Sequence, residues 1–85
     1  MGKKDKLIGR ILSGTADVSI TFADLRGLLL DLGFDERTRG GHHIFTRDDV
    51  EEIINLQPMG NMSKPYQVRQ VRNLMLRYKL GGSDV

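Results

Sequence analysis

The two histidines of this chain stand side by side, in the run Arg39-Gly40-Gly41-His42-His43-Ile44-Phe45. Imidazole changes charge near neutral pH, so it can take or give a proton there, and its neutral form ligates metals. Gly-Gly between two potentially extended segments is a hairpin signal, because both residues can adopt positive φ, as a type I′ turn requires. Such a turn sets His42 at the first position of the returning strand, with no side chain beside it on the N-terminal side. Arg37 and Arg39, just before the turn, are nearby cations. His43 is expected on the opposite sheet face, since side chains alternate along a strand, and there it serves packing or surface. Histidines on opposite faces do not readily share a metal. No cysteine or suitably spaced carboxylate completes a site, so neither metal nor cofactor is expected.

The elements that must hold this run are read from periodicity and caps. Lys3 to Leu12 reads as a first short helix with Leu7, Ile8, Ile11 and Leu12 on one side, ended by Ser13-Gly14. Thr15 to Ile20 is a connector without a strong pattern, at most briefly extended. Thr21 can cap a second helix, with Asp24 at its third position complementing the free N–H groups and the dipole. Phe22, Leu25, Leu28, Leu29 and Leu32 then fall within an arc of about 100°, and Gly33 stops the helix. Leu30 lies off this stripe, exposed or against the first helix.

Phe34 to Arg39, His42 to Arg47 and Val50 to Gln57 read as a three-stranded antiparallel meander, with turn residues Thr46 to Asp49 between the last two and a loop at Pro58 to Asn61. Ser63 can cap a last helix with Pro65 in its first turn. Val68, Val71, Leu74, Met75 and Tyr78 share one face of it, Arg69 and Arg72 lie on or near the opposite face, and Gly81-Gly82 ends it. The order helix, helix, strand, strand, strand, helix predicts a two-layer α+β sandwich, with both core helices on one sheet face and the other face open.

Eighty-five residues make one small domain with one modest core. The absence of cysteine excludes a disulfide framework and a Cys-based zinc site. The longest apolar run is Leu28-Leu29-Leu30, which excludes a transmembrane helix, and the basic N-terminus lacks the hydrophobic region of a signal peptide. A soluble cytoplasmic protein is expected. The net charge of +2 says little, but its distribution says more. Acidic residues crowd the middle of the chain, whereas Lys64 to Lys79 holds five basic residues and no acidic one, enough to make an electropositive face.

From Leu25 to Leu80, about two-thirds of the chain, the sequence resembles the HicA family of small toxins from bacterial and archaeal toxin–antitoxin systems. The residues that carry the likeness are Leu28-Leu29-Leu30-Asp31-Leu32-Gly33-Phe34, then Arg37-Thr38-Arg39-Gly40-Gly41-His42-His43-Ile44-Phe45, Ile54-Asn55-Leu56-Gln57-Pro58 and Lys64-Pro65-Tyr66-Gln67-Val68-Arg69-Gln70. They stand in the family's order and spacing, and the N-terminal extension resembles that of longer members.

The resemblance implies a double-stranded-RNA-binding-domain-like α-β-β-β-α fold with an extra N-terminal helix. It divides the chain into an extension and connector (1–20), a HicA-like domain (21–80) and a flexible tail (81–85). It implies an mRNA interferase, an endoribonuclease that cleaves mRNA and inhibits translation, and a partner antitoxin of the HicB type that blocks it. The family's functional histidine maps onto His42, and the serine before it in the family is Gly41 here. RNA supplies its own nucleophile, the 2′-hydroxyl, so one imidazole could act without a metal. Arg37, Arg39, Gly40, Gly41, Lys64, Arg69 and Arg72 are the expected RNA-binding residues, and Lys64 or Tyr66 the candidate general acids. Two other classes stay open because of Gly41. One is a non-catalytic RNA-binding module; the other is a domain whose role is to hold an antitoxin-like partner.

Overall fold

The computed structural model describes residues 2–80. Its elements are α1 (Lys3–Ser13), a one-turn 3-10 helix (Asp17–Ser19), α2 (Phe22–Asp31), β1 (Asp35–Arg39), β2 (His42–Arg47), β3 (Val50–Leu56) and α3 (Pro65–Tyr78). The three strands form one antiparallel sheet in the order β1-β2-β3. The architecture is a small α+β domain: two helices, a three-stranded meander and a C-terminal helix.

The helices meet one face of the sheet. Phe45 and Ile54 face each other across β2 and β3 and are fully buried, as is Leu56, two residues further along. On that face α2 brings Phe22 against His43, with ring centroids 4.8 Å apart. α3 brings Tyr78 there, whose hydroxyl donates to Glu52 at 2.5 Å. Leu25, Leu28 and Leu29 from α2 and Val68, Val71, Leu74 and Met75 from α3 close the core. Ile8, Ile11 and Ile20 belong to the same cluster, so the N-terminal extension is packed into it. The opposite sheet face carries Arg37, Arg39, His42, Ile53 and Asn55, all exposed.

Local chemistry explains most boundaries. Thr21 caps α2 by accepting from the Asp24 N–H at 3.1 Å. Gly33, at φ 92°, takes the left-handed conformation after the helix, and Leu30 is half-exposed. The expected cap at Ser63 does not form. Its N–H donates to Ile20 O at 2.9 Å, and its hydroxyl is buried without a partner among the described residues. Pro65 occupies the first turn of α3, and the residue before a proline is held extended, so Lys64 takes the cap position without a side-chain cap bond.

The connector holds the 3-10 turn rather than an extended stretch, with only Ile20 extended after it. α3 ends before the glycines: Lys79 adopts the left-handed conformation, φ 55° and ψ 47°. The expected stop at Gly81-Gly82 and the tail lie outside the described residues. Among the described residues no helix is long and apolar enough to cross a membrane.

Candidate functional site

The hairpin that carries His42 closes through a two-residue turn, with Arg39 opposite His42. Gly40 has φ 60°, whereas Gly41 is not in the positive-φ region. Positive φ at the first central residue alone is the requirement of a type II′ turn, not of the expected type I′. Gly41 is therefore not demanded by the backbone. A Cβ there would meet only the Gln57 side-chain nitrogen, at 3.7 Å, an ordinary contact. A serine fits at this position.

Register and alternation decide what surrounds His42. Arg37 faces Ile44, Ile44 faces Asn55, and Arg39 faces His42, so these five side chains share the uncovered sheet face. His42 Nδ1 lies 3.1 Å from Asn55 Oδ1. The Asn55 oxygen can only accept, so this contact favours the tautomer with the proton on Nδ1. Asn55 is itself held from behind: Gln67, buried on α3, donates from its side-chain nitrogen to Asn55 O at 3.2 Å. The same carboxamide accepts from the Gln57 N–H at 3.3 Å. One buried side chain thus satisfies the outer edge of β3 as a neighbouring strand would. Lys64 reaches the same corner, donating to Gln57 Oε1 at 3.3 Å.

The arginines divide by role. Arg26, Arg47, Arg72 and Arg77 pair with Glu36, Asp49, Asp17 and Glu52. Arg10 donates to the Ser19 carbonyl and hydroxyl. Arg37, Arg39 and Arg69 are exposed and have no partner among the described residues. Arg37 and Arg39 flank His42 on the open face. Arg69 lies apart, in an open groove of about 440 Å³ beside the β3 edge, lined also by Tyr66, Asn73 and Arg77. Arg72 is turned away: its Nη1 donates to Asp17 at 2.8 Å and to Ile11 O at 3.2 Å, so its charge is used to hold the N-terminal segment. The site thus gathers Arg37, Arg39, Gly40, Gly41, His42 and Lys64, with Asn55 and Gln57 added by the structure, and leaves out Arg69 and Arg72.

Comparison with family models, with curated proteins and with solved structures finds no match. What the site can do is carried by its geometry. It holds an exposed imidazole within 3.1 Å of Asn55 Oδ1 and two guanidiniums without a partner among the described residues, all on one sheet face. A negatively charged ligand laid across the open face meets both cations and a proton acceptor.

His43 differs in every respect. Its Nδ1 lies 2.8 Å from Glu36 Oε2 on the helix side, and Arg26 grips the same carboxylate at 2.8 Å. The Arg26 guanidinium holds the Glu36 carboxyl below the usual carboxylate range, against an opposing push from burial and with further help from His43. Among the described residues no group of three or more His, Asp or Glu side chains could hold a metal ion.

Proposed function

We propose that this chain is an RNA-cleaving toxin of the HicA type, a metal-independent endoribonuclease acting on mRNA through His42 and held in check by a HicB-type antitoxin. The observation that carries the reading is the open-face cluster: His42 bonded to Asn55 through Nδ1, with Arg39 opposite it and Arg37 diagonal to it, both without a partner among the described residues. The sequence resemblance supports it, and so does an element order compatible with a double-stranded-RNA-binding-domain-like fold.

In this mechanism the phosphodiester lies against Arg37 and Arg39. His42 Nε2 accepts the proton of the 2′-hydroxyl as that oxygen attacks phosphorus. The P–O2′ bond forms, the P–O5′ bond breaks, and the 5′-oxygen leaves with a proton from solvent. The products are a 2′,3′-cyclic phosphate and a 5′-hydroxyl. The guanidiniums stabilise the charge that grows on the non-bridging oxygens. The target in this reading is cytoplasmic mRNA.

Glycine at position 41 favours a second reading, a non-catalytic RNA-binding or antitoxin-binding domain, since a serine hydroxyl next to the imidazole is lacking. Substrate chemistry separates the two. An RNA strand should be cut to a 2′,3′-cyclic phosphate, and the same strand with hydrogen at the scissile 2′-position should stay intact. Cleavage of the 2′-deoxy position would overturn the transesterification, and binding of both strands without cleavage would favour the second reading.

A further inference from the structure

We infer that Asn55 is the positioning residue of the site: its carboxamide oxygen holds the proton of His42 on Nδ1 and so leaves Nε2 as the atom that accepts the substrate proton. The inference rests on the RNA-cleaving reading above. Free imidazole favours the opposite tautomer, with the proton on Nε2, and an exposed histidine without a partner would present a donor to the substrate rather than a base. The tautomer is set by the bond that the other ring nitrogen makes. Asn55 Oδ1, at 3.1 Å, is the partner of His42 among the described residues. The nearby Gln57 carboxamide turns its nitrogen towards Gly41, 3.7 Å from where a Cβ there would stand, and its oxygen accepts from Lys64.

Asn55 is well placed to hold a ring still. It stands on β3, opposite Ile44, two strand positions from the level of His42 and so on the same sheet face. Its carbonyl is fixed from behind by Gln67, which is 3% exposed. A chain of support therefore runs from the core side of α3, through the β3 edge, to the imidazole. Asn55 does not touch the reacting atoms; it acts through His42.

The test is long-range 1H–15N NMR of the full chain, read above the titration of the imidazole, for wild type, Asn55→Ala and Asn55→Asp. The expected wild-type spectrum shows His42 protonated at Nδ1. Asn55→Ala should move it towards the Nε2-protonated form, with an unchanged backbone spectrum because Asn55 is exposed. A wild type already protonated at Nε2, or a tautomer indifferent to Asn55→Ala, overturns the inference whether or not the protein cuts RNA. In the cleavage assay Asn55→Ala should lower kcat about tenfold or more with little change in KM. Asn55→Asp keeps an acceptor oxygen and should retain cleavage, with the acid limb of its rate profile moved to higher pH. A wild type that shows the Nδ1 tautomer but cuts no RNA refutes the nuclease reading and leaves Asn55 as the partner that sets the ring.

Discussion

Arg72 and Asp17 are 55 positions apart in the chain and meet at 2.8 Å. The same guanidinium bonds Ile11 O and lies against Gly14, where an added Cβ would come within 3.4 Å of it. One side chain of α3 thus gathers the end of α1 and the 3-10 turn onto the body of the domain. Arg72→Met keeps the apolar stem and removes the charge, leaving Asp17 and a helix-end carbonyl without their donor. Urea unfolding should show a loss of about 1–3 kcal/mol, with RNA affinity unchanged in conditions where the variant is folded. A stable variant with weakened RNA binding would contradict this role.

Arg37 and Arg39 should behave in the opposite way. Both are exposed and unpaired among the described residues, so replacing either with alanine should leave stability within about 0.5 kcal/mol. Each phosphate contact contributes a slope of about −0.7 to the dependence of log affinity on log salt for a single strand. Arg37→Ala and Arg39→Ala should each make that slope shallower by about this amount, as read by titration at several ionic strengths. An unchanged slope in both would remove the guanidiniums from the interface.

The turn makes a paired prediction about its two glycines. Gly41→Ser should be accommodated, with stability changed by no more than about 0.5 kcal/mol, because neither the backbone nor the neighbouring Gln57 opposes a side chain. Gly40→Ala should cost about 1–2 kcal/mol, the penalty of a Cβ in the left-handed region at φ 60°. Thermal unfolding of the two variants should therefore separate them clearly, and equal melting temperatures would contradict the turn geometry.

Glu36 gives the fold an acid-sensitive tie. Its folded pKa lies below the ordinary value of 4.5, mainly through Arg26. A depressed carboxyl contributes stability that is fully present above its unfolded pKa and is lost as pH falls through the folded pKa. Glu36→Gln should lower stability at neutral pH, and the gap from wild type should close as pH falls below about 4.5. Denaturation at a series of pH values reads this directly, and a gap that stays constant with pH would contradict it.

Much of the frame was legible in the sequence. The leucine stripe of α2, its Thr21 cap and the meander hung on Gly40-Gly41 all follow from local rules, and the structure has them. What local rules missed depends on tertiary neighbours. A helical wheel places Arg72 towards the polar side of α3, but it does not show that the 3-10 turn and the end of α1 pack against that flank. Ser63 has the side chain of a cap, yet its backbone is engaged with Ile20 and its hydroxyl is turned inward. In the sequence Asn55 stands within Ile54-Asn55-Leu56-Gln57-Pro58 with nothing local to give it a role. Two-residue alternation would have put it on the face of His42, and the register shift between Phe45 and Arg47 keeps that face while changing the direct partner. Its bond to the imidazole is a diagonal one, and only the folded sheet reveals it.

The most direct test of the account is incubation of the purified chain with a labelled single-stranded RNA in EDTA, beside His42→Ala. The account predicts cleavage by the wild type and a loss of about a hundredfold or more in the variant, whose RNA affinity should barely change. Equal cleavage by both proteins, or none by either, would contradict the assignment of His42 as the catalytic base.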